Sequence, residues 1–185
     1  MLNLMKKSIK ILLVFIFLIL IGAFVLFRIW KNVEVSGISN FEECTAYNYP
    51  IQDSYPPRCS TPDGKTFTQD IGNELEYTDL IRIDTPRPNS DVVSPLNIKG
   101  VARGSWFWEA NSTAEIYDGN GLSKGSGFVI AVGESMTEDF VRMEGVIEFE
   151  KPETPTGKLI LRNDNPSGLV ENQKELIIPV NFNRF

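Results

Sequence analysis

Residues 96–118 read LNIKGVARGSWFWEANSTAEIYD, and two alternating stretches inside this run decide the fold. From Leu96 to Val101, Leu96, Ile98 and Gly100 share one side while Asn97 and Lys99 take the other, the period of a strand with one buried face. Ala114 to Asp118 repeats the pattern and runs into Gly119-Asn120-Gly121, a hairpin turn signal. Between them stands Trp106-Phe107-Trp108. In extended backbone, neighbours point to opposite faces, so Trp106 and Trp108 are expected on one side and Phe107 on the other.

Strand signals continue in both directions. Upstream, Leu80 to Asp84 alternates before Pro86 and Pro88 mark a bend. Downstream, Phe128 to Val132, Val146 to Phe149, Lys158 to Leu161 and Glu175 to Phe182 read as strands. Breaks fall at Glu134 to Glu138, Pro152 to Thr156 and Asn163 to Gly168. About seven short strands in roughly 100 residues is the count of an immunoglobulin-like β-sandwich. The 11 prolines and 14 glycines of the chain favour turns over long helices, so the class is all-β. The Cys-Trp-Cys signature of antibody domains is missing, which leaves the core to rest on packing alone.

A different pattern opens the chain. Ile11 to Phe27 is an unbroken apolar run, and extension to Ile9 and Ile29 gives about 31 Å of helix, enough to cross a bilayer core. Lys10 can snorkel to one interface and Trp30 can sit at the other. Lys6, Lys7 and Lys10 precede the run, while Arg28 and Lys31 give way to Glu34, Glu42 and Glu43. The positive-inside bias therefore puts the N-terminus in the cytoplasm and everything after residue 31 outside it. A cleaved signal peptide and a buried core helix are the competing readings; the run is longer than a usual signal core and lacks a small-x-small cleavage site.

Residues 32–40 read as a tether and residues 41–70 as a cysteine-bearing segment interrupted by four prolines, with no sustained period and little regular structure expected. In an oxidising compartment Cys44 and Cys59 are each other's only intramolecular partner. Closing that loop stabilises by about 3 kcal/mol in the chain-entropy model. Cys59 to Phe67, with Asp63-Gly64-Lys65-Thr66 inside it, resembles a run of Kazal-type protease inhibitors, preceded here by Pro57-Arg58. Those inhibitors need six cysteines and this chain has two. Residues 71–79 read as a polar linker, and residues 80–183 as the β domain.

Charge and residue types bound the chemistry. Of 18 basic residues, five lie in residues 1–31, leaving 13 against 24 acids and a net charge of −11 for residues 32–185. Such a surface repels phosphate backbones, so nucleic acid is not an expected partner. The chain has no histidine, the commonest general base near neutral pH, and two cysteines cannot complete a four-ligand zinc site. No catalytic residue, cofactor or metal site is expected. Asp118, Asn120 and Gly121, and Asn163-Asp164-Asn165, hold too few oxygen ligands for a calcium loop and read as turns. Asn111-Ser112-Thr113 fits a glycosylation sequon that matters only where the transferase exists. Glu109, Glu115, Glu138 and Asp139 read as a solvated face rather than a hydrolytic pair.

Several ordered blocks between Leu80 and Phe182 carry a resemblance. They are Ile83-x-x-Pro86, Val93-Ser94-Pro95-Leu96-x-Ile98-x-Gly100-x-Ala102, Trp106-Phe107-Trp108-Glu109-Ala110, Met136-Thr137-Glu138-Asp139-Phe140, Asn165-Pro166-Ser167-Gly168 and Ile178-Pro179-Val180-x-Phe182. Together they resemble the immunoglobulin-like domain named for bacterial spore germination proteins. The resemblance implies a non-catalytic module of the bacterial envelope and transfers no active-site residue.

These readings converge on a single-pass membrane protein whose extracytoplasmic β domain is a non-catalytic binding or assembly module with an envelope protein as partner, and with Trp106, Phe107 and Trp108 as candidate contacts. Two alternatives stand beside it: a structural spacer presenting the cysteine segment, and an inhibitor-like loop presenting Arg58.

Overall fold

The computed structural model describes Leu13, residues 15–28 and residues 37–183. Residues 15–28 are helical, and Phe15, Phe17, Ile19 and Leu26 expose more than half of their surface. Among the described residues no helix is long and apolar enough to cross a membrane. The flanks of the expected span, including Ile9, Lys10, Ile11, Ile29 and Trp30, lie outside the described residues, as do residues 32–36 of the expected tether.

The rest of the chain divides into two compact units at Gln69 and Asp70. In the first, the segment expected to lack regular structure is ordered by a short helix, Phe41–Ala46, and a three-stranded antiparallel sheet. Its strands are β1 (Ile51–Gln52), β2 (Arg58–Ser60) and β3 (Thr66–Thr68), in the order β1-β2-β3. Strands of two or three residues are too short to print a period. The helix start did leave a signal: Asn40 accepts a hydrogen bond from the Glu43 backbone N–H at 2.7 Å, and Glu43 accepts from Ser39 N–H at 2.7 Å, a reciprocal cap. Cys44 and Cys59 are bonded, with Cα atoms 6.1 Å apart. Both are fully buried with Ile38 and Phe41, and Tyr49 and Phe67 pack around them. The tether reading therefore fails at Ile38 to Asn40, which belong to this small core and its cap.

The second unit is a seven-stranded antiparallel sheet: β4 (Ile81–Thr85), β5 (Leu96–Arg103), β6 (Asn111–Asp118), β7 (Ser123–Val132), β8 (Phe140–Ile147), β9 (Thr156–Arg162) and β10 (Glu175–Asn181). Their order is β10-β9-β6-β7-β8-β5-β4. Every strand signal in the sequence falls on one of them. The main shortfall is β8, which starts at Phe140 rather than Val146, because Gly145 breaks the apolar alternation of Val141 and Met143.

Alternation is what makes this sheet a closed body. β5, β6 and β10 each bury every second residue. Ile81 and Ile83 of β4 share one apolar cluster with Leu176, Ile178 and Val180 of β10, although these strands sit at opposite ends of the ladder. The sheet must therefore curl until its two ends face one another across a single core. β4-β5-β8-β7 and β10-β9-β6 are the two halves, and the strand groups are those of a constant-type immunoglobulin domain.

The outer edge of β10 is covered, as an edge strand must be. Along β10, Asn73 Oδ1 accepts from Ile177 N–H at 2.7 Å and its Nδ2 donates to the Glu175 carbonyl at 2.8 Å. Further along, Asn89 N–H donates to Pro179 O at 2.7 Å and Asn181 N–H to Ser90 O at 3.0 Å. Pro179, which lacks an N–H, costs nothing on this outer side. Residues 71–79, read from sequence as a linker, are thus part of the second unit. A Cβ on Gly72, whose φ is +70°, would lie 1.9 Å from the Ile177 carbonyl oxygen, so only glycine fits. Glu74 is buried and paired with Arg87 at 2.7 Å. The linker reading followed the polarity of these side chains, whereas their function is to cap a backbone edge.

Candidate functional site: a groove beside Trp108

At one end of the sandwich the β5–β6 connection, residues 104–110, faces the β7–β8 connection, residues 133–139. They are drawn together by backbone. Gly104 N–H donates to Asp139 O at 3.2 Å, and a Cβ on Gly104 would lie 2.1 Å from the Thr137 carbonyl oxygen. Arg103 ties the same loops: its guanidinium donates to Asp79 O at 2.6 Å and to Glu138 O at 2.8 Å, and stacks over the Phe140 ring at 4.6 Å. Arg82 covers the same ring at 4.5 Å.

The aromatic triplet does not alternate. Gly104–Trp106 is a turn of 3-10 helix, which rotates Trp106 and Phe107 together into the core and leaves Trp108 53% exposed. The expectation that Trp106 and Trp108 share a face is therefore corrected; the extended backbone it assumed begins only after Trp106. Trp108 then enters a two-residue hairpin turn, exchanging backbone hydrogen bonds with Asn111 at 3.1 and 3.2 Å. Its central residues, Glu109 and Ala110, have φ of +50° and +63°. That is the backbone of a type I′ turn, built here without the usual Asn-Gly.

Between the loops lies an open groove of about 1050 Å³, lined by the apolar Phe107, Trp108 and Met136 and the acidic Glu109, Glu134 and Glu138. Met136 is 94% exposed. Glu134 accepts a hydrogen bond from Met136 N–H at 2.9 Å and so shapes the loop that presents it. The groove offers apolar surface, hydroxyls and carboxylates, which is the chemistry of recognition.

The remaining sequence candidates fall elsewhere. Arg58 sits in the central strand of the small sheet, its neighbours Gln52 and Thr68 paired on either side. Asp118 is buried at the start of the β6–β7 turn, where its Oδ1 accepts from Asn120 and Leu122 N–H, both at 3.0 Å, and its Oδ2 lies 3.4 Å from Lys124 Nζ. Burial by itself raises the Asp118 pKa, but the Leu122 N–H, Lys124 and Asn120 N–H together hold it below the ordinary value. Glu115 pairs with Arg162, which also pairs with Glu175 at 2.6 Å. Asn163 caps a loop through Lys174 N–H at 2.7 Å. Among the described residues no group of three or more histidines, cysteines or acids is placed to hold a metal.

With strand order, shared core and loop geometry in view, the comparison with known families is direct. Residues 80–168 match the model of the immunoglobulin-like domain of bacterial spore germination. Residues 80–168 are thus an immunoglobulin-like domain of this kind. No curated protein and no solved structure matches the chain. In this immunoglobulin-like domain the matched region ends before β10, yet Leu176, Ile178, Val180 and Phe182 complete the core. Trp108 and the groove lie wholly inside the matched residues.

Proposed function

We propose that the chain is a membrane-anchored, extracytoplasmic binding module of the bacterial cell envelope that recognises an envelope protein and carries out no catalysis. The observation that supports binding is the groove. It is lined by an exposed tryptophan and a nearly fully exposed methionine, on two loops that join strands of one sheet. A monomeric domain gains nothing in stability from such surface, whereas aromatic and methionine side chains are enriched in interface cores. Anchoring is supported by residues 15–28, a helix whose large apolar side chains stand exposed and which lysines precede in sequence.

A photoreactive amino acid in place of Met136 in living cells tests the reading. An adduct with an envelope protein is expected from position 136, none from Leu122 at the other end of β6, and loss of the adduct on Trp108→Ala. An adduct insensitive to Trp108→Ala, or none, would leave the domain as a spacer. Protease added outside spheroplasts tests the anchor: residues after 31 should be digested while an N-terminal tag is protected.

A further inference from the structure

The groove's charge points to the chemistry of its occupant, and we infer that it takes an extended cationic peptide segment, one with lysine or arginine flanking an apolar side chain. This rests on the proposed binding role of the same groove. Glu109, Glu134 and Glu138 line it, and no lysine or arginine does. Arg103, the cation whose backbone adjoins it, is committed to two carbonyls and the face of Phe140. Three carboxylates with no basic residue in the lining favour an incoming cation and oppose an anionic lipid, glycan or nucleic acid.

Size and shape select among cations. At about 1050 Å³ and open to solvent, the groove is at the upper end of small-molecule sites and suits a chain that runs through it. Trp108 lines the groove and is half exposed, and a guanidinium or ammonium stacks favourably on an indole ring. Met136, flexible and unpacked, can adapt to the apolar side chain between two cationic ones.

The test uses the full chain in detergent and a labelled peptide of alternating lysine and leucine. An alternating glutamate and leucine peptide and an oligomer of N-acetylglucosamine serve as the other arms. Only the lysine peptide is expected to bind, more weakly as salt rises. The double variant Glu134→Gln, Glu138→Gln should weaken it by about ten-fold. Glutamine keeps the acceptor for Met136 N–H, so the loop should survive, and an unchanged melting temperature checks that. Trp108→Ala should weaken binding as well. The pair Glu148→Gln, Glu171→Gln removes the same charge from exposed positions elsewhere on the domain and should have little effect. Equal losses from the two pairs would reduce the binding to general charge attraction and overturn the inference. Trp108-dependent binding of the acidic peptide or the sugar would overturn the cationic partner while keeping the groove as a site; no binding in any arm, with no Met136 adduct in cells, would remove both.

Discussion

The ring of Trp106 meets that of Tyr77 edge-on, with centroids 6.2 Å apart and planes at 77°. Tyr77 lies in the stretch whose polarity reads as a linker, yet it packs on the core of the β domain. The same stretch supplies Gly72 and Asn73 to the outer edge of β10 and Glu74 to Arg87. A fragment of residues 78–185 should therefore be markedly weaker than one of residues 70–185. It loses the edge cover, leaves Arg87 without Glu74 and uncovers Trp106. A deficit of about 3 kcal/mol, or a melting temperature lower by roughly 10 °C, is expected by calorimetry. Equal melting temperatures would return residues 70–77 to the role of linker.

The three aromatic residues separate packing from recognition. Trp106→Ala and Phe107→Ala each remove a buried ring and should cost about 3 to 5 kcal/mol in urea unfolding. Trp108→Ala removes an exposed one and should stay within about 0.5 kcal/mol. A large loss at Trp108 would mean that the ring is part of the core.

Strands such as β5, β6 and β10 were legible because they bury alternate residues in one core, so Leu96, Ile98 and Ile116 announce their face without knowledge of their partners. Tertiary closure was not legible. Asn73 and Asn89 act through hydrogen bonds to β10 about 100 positions away, and a polar residue serving a distant backbone looks in sequence like one facing water. The groove was half legible. Trp108 stood out, but its direction depended on a 3-10 turn that Gly104-Ser105 does not announce. Glu109-Ala110 carries none of the usual residues of the turn it forms, and Met136 gave no signal until the two loops were seen together.

Only the first unit depends on the disulfide. Cys44 and Cys59 form the centre of a core that otherwise holds few side chains, while the second unit contains no cysteine. Replacing both by alanine should cost the first unit about 3 kcal/mol, enough to unfold a unit this small. Two transitions are expected in the wild-type protein. Reductant should abolish one and leave the transition of the β domain in place; a shift of both together would contradict this division.

Acid should unfold the β domain in part through Asp118. Its folded-state pKa lies below the ordinary 3.8, and that of Glu115, which burial raises but Tyr117 and Arg162 lower further, lies below 4.5. A depressed carboxylate stabilises the native state where both states are charged. That contribution is complete above the unfolded value and is lost as pH falls toward the folded one. Urea midpoints should fall below about pH 4. Asp118→Asn should lower stability at neutral pH yet show a flatter acid limb, its curve approaching wild type as pH falls through the depressed pKa. Parallel curves would show that Asp118 does not contribute to the acid response.

The turn beneath the groove holds the last prediction. Glu109 is exposed and left-handed at φ +50°, a conformation disfavoured by about 1 kcal/mol or more for a residue with a long side chain and tolerated by asparagine. Glu109→Asn should therefore stabilise the domain, by about 0.5 to 1 kcal/mol, since nothing buried is removed and the turn becomes one that the hairpin favours. The same change withdraws a carboxylate from the groove, so peptide binding should weaken while stability rises. Opposite signs in one variant would indicate strain retained for the sake of recognition. If Glu109→Asn were instead less stable and bound as well as wild type, Glu109 would be making a contact that holds the turn, and the acidic wall would rest on Glu134 and Glu138 alone.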